Sequence, residues 1–161
     1  MKRVRNTHNR DQLRELHGAM VDLVALMNRP QRDQALLREA GVVLDRSLFP
    51  LLVGIERFGP IGIVDLAERA GRDHTTVSRQ VAKLVELGLV ESRPDLRDRR
   101  VNQASITKEG REIAAALHGA RRRIAEPVLA KWSARDFGAL VRLMRRFVDD
   151  LMALPDQADE P

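Results

Sequence analysis

The chain has 161 residues, enough for one domain or one compact two-lobed unit. Apolar residues make up 43% of it, which supplies a core and excludes disorder over the whole length. The chain carries 28 basic and 23 acidic side chains, net +5, and no cysteine. The missing cysteine excludes a disulfide framework, a thiolate metal site, a cysteine nucleophile and a thiol redox sensor.

The basic side chains are 24 arginines and only four lysines. So small a net charge points to an anionic partner only where the arginines cluster. The longest apolar run, about Phe49 to Ile55, is far below the roughly 20 residues of a membrane span. The basic start, MKRVRNTHNR, leads into an amphipathic helix rather than an apolar signal core. A cytoplasmic protein without a membrane partner is therefore expected.

Leu13, Leu16, Met20, Leu23 and Met27 alternate spacings of three and four, a heptad seam on one helix face. Pro30 closes that helix, because proline disfavours helical geometry in the residue before it. A short helix is expected over Asp33 to Ala40, ending at Gly41. Another is expected over Asp45 to Glu56, stopped by Phe58-Gly59-Pro60.

IVDLAERA, from Ile63 to Ala70, reads as a short amphipathic helix closed by Gly71. Asp73 is a good N-cap for the next helix, HTTVSRQVAKLVEL, which ends at Gly88. Two helices around a short glycine turn form a helix-turn-helix. At about 100° per residue, Val77, Val81 and Leu84 share one narrow arc, which must be buried. The opposite arc carries Thr75, Arg79, Ala82 and Lys83, with Thr76 and Ser78 on its flanks. Short hydroxyls near a helix N-terminus allow close approach to bases or phosphates. Arginine can read guanine through two hydrogen bonds or clamp a phosphate. The same face on its own is also what an ordinary solvated helix shows.

Leu89, Val90 and ESR begin a strand, and VNQASIT reads as its partner. The loop between them, Arg93 to Arg100, carries four arginines against two aspartates. A hairpin with an arginine tip directly after a helix-turn-helix makes a winged helix, whose wing suits an adjacent groove. Asp98 is expected to orient the Arg100 guanidinium.

A helix is expected from Thr107 to about Ala130, with Ile113, Leu117, Ala120, Ile124 and Val128 on one face. Pro127 is expected to kink or break it. Ser133, with Asp136 three residues on, opens a last helix whose seam is Phe137, Leu140, Met144, Phe147, Leu151 and Leu154. The tail from Pro155 to Pro161 is expected to be disordered. Periodicity alone leaves two readings of the terminal seams: they pack on each other within one chain, or they interlock with a second chain.

The segment from LAERAGRDHTTVSRQ through LVELGLVESRPDLRDRR to VNQASITKEG resembles the core of the MarR family of bacterial regulators. The matching motifs are Val77-Ser78-Arg79, Leu84 to Val90, Asp98-Arg99-Arg100 and Ile106 to Gly110, with Ile106 where the family usually has leucine. The resemblance implies a mainly α fold with a small two-stranded β wing. Residues 1–40 and 107–154 would be dimerisation helices, 41–106 the winged helix-turn-helix, and 155–161 the tail. It also implies a homodimeric repressor, nucleoid-associated, on a pseudo-palindromic operator in double-stranded DNA. Thr75, Thr76, Ser78, Arg79 and Lys83 would contact DNA from the helix, and Arg97, Asp98, Arg99 and Arg100 from the wing. His74 fits either a phosphate contact or no role at all. A small anionic or aromatic effector is implied between the dimer helices and the winged lobe, near His17, Met20, Phe49 and Phe58. Each of those four also suits an ordinary core position.

Two other classes compete. One is a winged-helix protein-interaction module, or co-regulator, with incidental DNA binding; the arginine wing argues against it. The other is an enzyme, but His8, His17, His74 and His118 are scattered and no HExxH, phosphate loop or dinucleotide turn occurs. No catalytic residue, metal or cofactor is expected.

Overall fold

The computed structural model describes residues 8–94 and 102–154. Among them the elements, in chain order, are α1 (His8–Met27), α2 (Pro30–Ala40), α3 (Phe49–Phe58), β1 (Ile61–Gly62), α4 (Ile63–Ala70), α5 (His74–Glu86), β2 (Val90–Pro94), β3 (Asn102–Ile106), α6 (Lys108–Leu129) and α7 (Ala134–Met152). This is a mainly helical winged-helix architecture with one small antiparallel sheet in the order β1-β3-β2.

The wing strands pair from Val90 opposite Ile106 to Pro94 opposite Asn102. The third strand, β1, pairs Ile61 with Ala104 and Gly62 with Gln103. Sequence reading misses it, because two residues carry no period; Ala104 and Ile61 are both buried where it lands.

Two expected helix starts move, and proline explains both, whereas the expected kink or break at Pro127 does not interrupt its helix. Helix α2 begins at Pro30 rather than Asp33, with proline in its first turn, where an amide hydrogen would have no helical partner. Helix α3 begins at Phe49 rather than Asp45, again with proline in its first turn. The residues ahead of it form a turn instead: Asp45 Oδ1 accepts from Ser47 N at 2.7 Å, and the Asp45 carbonyl accepts from Leu48 N at 3.0 Å. Helix α6 runs through Pro127 without a break and ends two residues later, at Leu129.

The chain divides into two compact units, Met1–Ala120 and Arg121–Pro161. The first holds two hydrophobic clusters. One joins α3, α4, α5 and the sheet through Leu51, Leu52, Ile55, Leu66, Val77, Val81, Leu84, Val90 and Ala104. The other joins α2 to α3 and α6 through Leu36, Leu37, Phe49, Leu117 and Ala120. Leu44 and Ile113 pack against both.

In the second unit, Ser133 caps α7: its Oγ accepts from Asp136 N at 3.1 Å and donates to Asp136 Oδ2 at 2.7 Å. Arg145 pairs with Asp149 at 2.6 Å and Arg146 with Asp150 at 3.6 Å, one turn apart. No residue of α7 is buried. Among the described residues, no helix is long and apolar enough to cross a membrane.

Candidate nucleic-acid interface

The helix-turn-helix is built by three local devices. Gly71 closes α4 in the left-handed conformation, φ 59°, which glycine adopts without the steric cost that a Cβ brings. Arg72 crosses the turn. Asp73 then caps α5, its Oδ1 accepting from Thr76 N at 2.9 Å. That main-chain hydrogen bond favours the ionised form and holds the Asp73 carboxyl below its ordinary 3.8.

On α5 the two faces separate as the helical period requires. Val77 and Leu84 are 0% exposed and Val81 is 3% exposed. Thr75, Thr76, Ser78, Arg79, Ala82 and Lys83 are all exposed, as is His74. The start of α5 thus offers three exposed hydroxyls, of Thr75, Thr76 and Ser78, followed by a guanidinium and an ammonium. Lys83 is also held by Glu86, Nζ to Oε2 at 2.7 Å, one turn further on.

The end of α5 is tied to the sheet and to α6 by Thr107. Its Oγ1 donates to the Gly88 carbonyl at 2.8 Å and accepts from Gly110 N at 3.0 Å. Thr107 N also donates to the Leu89 carbonyl at 3.1 Å. Gly110 is where α6 passes the end of the hairpin: an added Cβ would lie 2.1 Å from the Leu89 carbonyl oxygen. The Thr107-x-x-Gly110 spacing therefore has a steric reason.

The wing emerges as β2 and returns as β3. Arg93, on its outgoing strand, pairs with Glu91 at 2.8 Å. Arg97, Asp98, Arg99 and Arg100 lie outside the described residues.

The four effector candidates occupy different settings. Phe49 is buried in the second cluster. Phe58 is 39% exposed, with the Arg57 and Arg69 guanidinium carbons 4.9 and 4.6 Å from its ring centre. His17 is exposed on α1 and Met20 is half-buried. An open groove of about 660 Å³ lies elsewhere, lined by Val43, Leu44, Asp45, Ser47 and Leu48, by Arg79, Gln80 and Lys83 of α5, and by Leu87 just after it.

One polar link crosses this region that sequence reading treats only as a bridging turn residue. Arg72 Nη1 donates to the Ser47 carbonyl at 3.1 Å and to Gln80 Oε1 at 3.3 Å. Its partners are 25 and eight positions away, beyond any helical or strand period.

Comparisons with known proteins agree with this architecture. The MarR family model matches residues 44–101, which include α3 through β2 and stop just before β3. The chain is 36% identical over 110 residues to the uncharacterized HTH-type transcriptional regulator YxaD of Bacillus subtilis, covering 66% of this chain and 77% of that protein. A MarR family protein from Bacillus stearothermophilus superposes with a TM-score of 0.69 at 19% identity, over 89% of this chain and 97% of that one. Staphylococcus aureus MarR, solved with salicylate and kanamycin, gives 0.66 at 16% identity, over 89% and 97% of the two chains. With the capped α5 inside the family match and a winged-helix sheet built around it, the chain belongs to the MarR family of winged-helix transcriptional regulators.

Proposed function

We propose that the protein is a homodimeric repressor that binds a pseudo-palindromic operator in double-stranded DNA. The observation that carries this is the division of α5, with Val77, Val81 and Leu84 inside and Thr75, Thr76, Ser78, Arg79 and Lys83 outside. A helix held by its apolar face and presenting short hydroxyls and cations suits insertion into a major groove. Arg97, Asp98, Arg99 and Arg100 extend the contact from the wing, and two half-sites fall roughly 10 base pairs apart. The seams on α1 and α7 supply the dimer, so that residues 1–40 and 107–154 both contribute to it.

Small-molecule release belongs to the same proposal. The salicylate carried by the Staphylococcus aureus MarR favours a small aromatic anion as the effector class. His17, Met20 and Phe58 are the accessible candidates, whereas Phe49 would have to leave a packed core. Effector binding need favour the non-binding helix separation by only a few kcal/mol.

Fluorescence anisotropy with the DNA upstream of the protein's own coding region tests the reading. Arg79→Ala is expected to lose about 1–3 kcal/mol of operator affinity and relax base choice. Arg100→Ala is expected to weaken binding and reduce the salt slope by about one. Retention of full affinity by both variants would assign the interface to another face. Absence of salt-dependent DNA binding would return the protein to the protein-interaction class. Salicylate that leaves the DNA complex intact would remove that effector class.

A further inference from the structure

The α2–α3 segment, residues 41–48, has no regular helix or strand, yet it lies between the two clusters of the first unit. Leu44 packs against both clusters and Leu48 belongs to the first. Apolar contacts of this kind set distance but little direction, because dispersion and the hydrophobic effect are not directional. Direction comes from hydrogen bonds, and Arg72 supplies two that tie this segment to α5. The half-buried Arg72 donates from Nη1 to the Ser47 carbonyl in this segment and to the Gln80 carboxamide on α5.

Two features make this more than a surface contact. Both acceptors are neutral oxygens, and among the described residues no carboxylate pairs with Arg72. Among the described residues the guanidinium is thus not satisfying a nearby charge; the two hydrogens of one nitrogen, Nη1, are spent on geometry. Gln80 also follows Arg79 directly, so a rotation of α5 that breaks the Gln80 bond turns the exposed face with it.

We propose that Arg72 is a positioning residue for DNA recognition: by bonding Ser47 and Gln80 together it fixes the rotation of α5 against the α2–α3 segment. This rests on α5 being the recognition helix. Arg72 itself touches no DNA in this reading. Its loss lowers specific affinity by misaligning Thr75, Ser78 and Arg79, while the count of phosphate contacts stays the same.

The test uses full-length protein and four variants: Arg72→Met, Arg72→Lys, Gln80→Met and the Arg72→Met/Gln80→Met double. Operator and random-duplex affinities are measured over a salt series. Arg72→Met and Gln80→Met are each expected to weaken operator binding about tenfold. Random-duplex binding and the salt slope should not change, and the double variant should be no weaker than the worse single. Arg72→Lys, which keeps one terminal nitrogen donor but not the planar guanidinium that aims it, is expected to fall in between. If Arg72→Met does not fold, Arg72→Lys and Gln80→Met decide alone. Operator affinity within twofold of the parent in the folded variants overturns the proposal. So does a salt slope lower by about 0.9, which would make Arg72 a phosphate contact. Additive losses would overturn it too. If the parent protein binds no DNA, the recognition reading fails separately, and amide hydrogen exchange then decides. Faster exchange confined to residues 42–48 and 74–86 in Arg72→Met supports the latch, and unchanged or uniformly faster exchange overturns it.

Discussion

Single side chains and single missing side chains hold the recognition unit together. Gly110 has no room for a methyl group, since a Cβ would sit 2.1 Å from the Leu89 carbonyl oxygen. The obstacle is main chain, with Ile106 Cγ1 only 2.8 Å from the same point, so the clash cannot be relieved cheaply. Gly110→Ala is expected to cost about 3 kcal/mol in urea unfolding, and a loss below about 0.5 kcal/mol would contradict the close approach. Asp73 acts through charge instead. Its carboxyl is held below its ordinary 3.8 by the Thr76 main-chain bond, so the folded chain takes up that proton less readily than the unfolded one. The cap therefore contributes in full above the ordinary value and fades as pH falls through the lower folded value. Asparagine also caps but does not titrate. Asp73→Asn is expected to lose less thermal stability than the parent between about pH 5 and pH 3. Equal acid sensitivity of the two, read by circular dichroism melts, would place the acid lability elsewhere. Asp45, lowered by its hydrogen bonds to Ser47, titrates alike in both proteins.

At the scale of elements, α5 has two faces with different consequences. Leu84 is 0% exposed in the first cluster, so Leu84→Ala is expected to cost about 2–5 kcal/mol of stability. Lys83, its exposed neighbour, holds only a surface pair with Glu86, and Lys83→Ala is expected to change stability by less than about 0.5 kcal/mol. Chemical denaturation of the two variants checks the contrast; similar losses would mean that the helix is rotated from the position described. This division was legible in the sequence, because three apolar residues at helical spacing leave a chain only one way to hide them. The caps at Gly71, Asp73 and Ser133 were legible for the same local reason. The starts of α2 and α3 were not, because Pro30 and Pro50 look like breakers until their place in a first turn is known. Strand β1 was not legible either: its partner in β3 is more than forty residues away.

For the whole molecule, the question is what covers the terminal helices. Leu13 on α1 is 63% exposed, and Leu23, Phe137, Leu140 and Leu151 are exposed as well. So many apolar side chains on two seams is more than a soluble monomer commonly leaves in water. A second chain would cover them, and a charge placed in the α7 seam should then separate the two. Leu140→Glu with Met144→Glu is expected to sediment as a monomer at concentrations where the parent is a dimer. A parent that sediments as a monomer, or a variant that stays dimeric, would remove α7 from the interface. Sequence by itself determined the helix-turn-helix, its caps, the inward face of α5 and the hairpin after it. Each depends on residues within a turn or two of one another, where backbone geometry leaves few choices. Only the tertiary structure decided the third strand, the contact of Gly110 with Leu89, the separate fates of Phe49 and Phe58, and the bonds of Arg72. Those pairings join residues far apart along the chain, and no local period encodes which distant neighbour a side chain will meet.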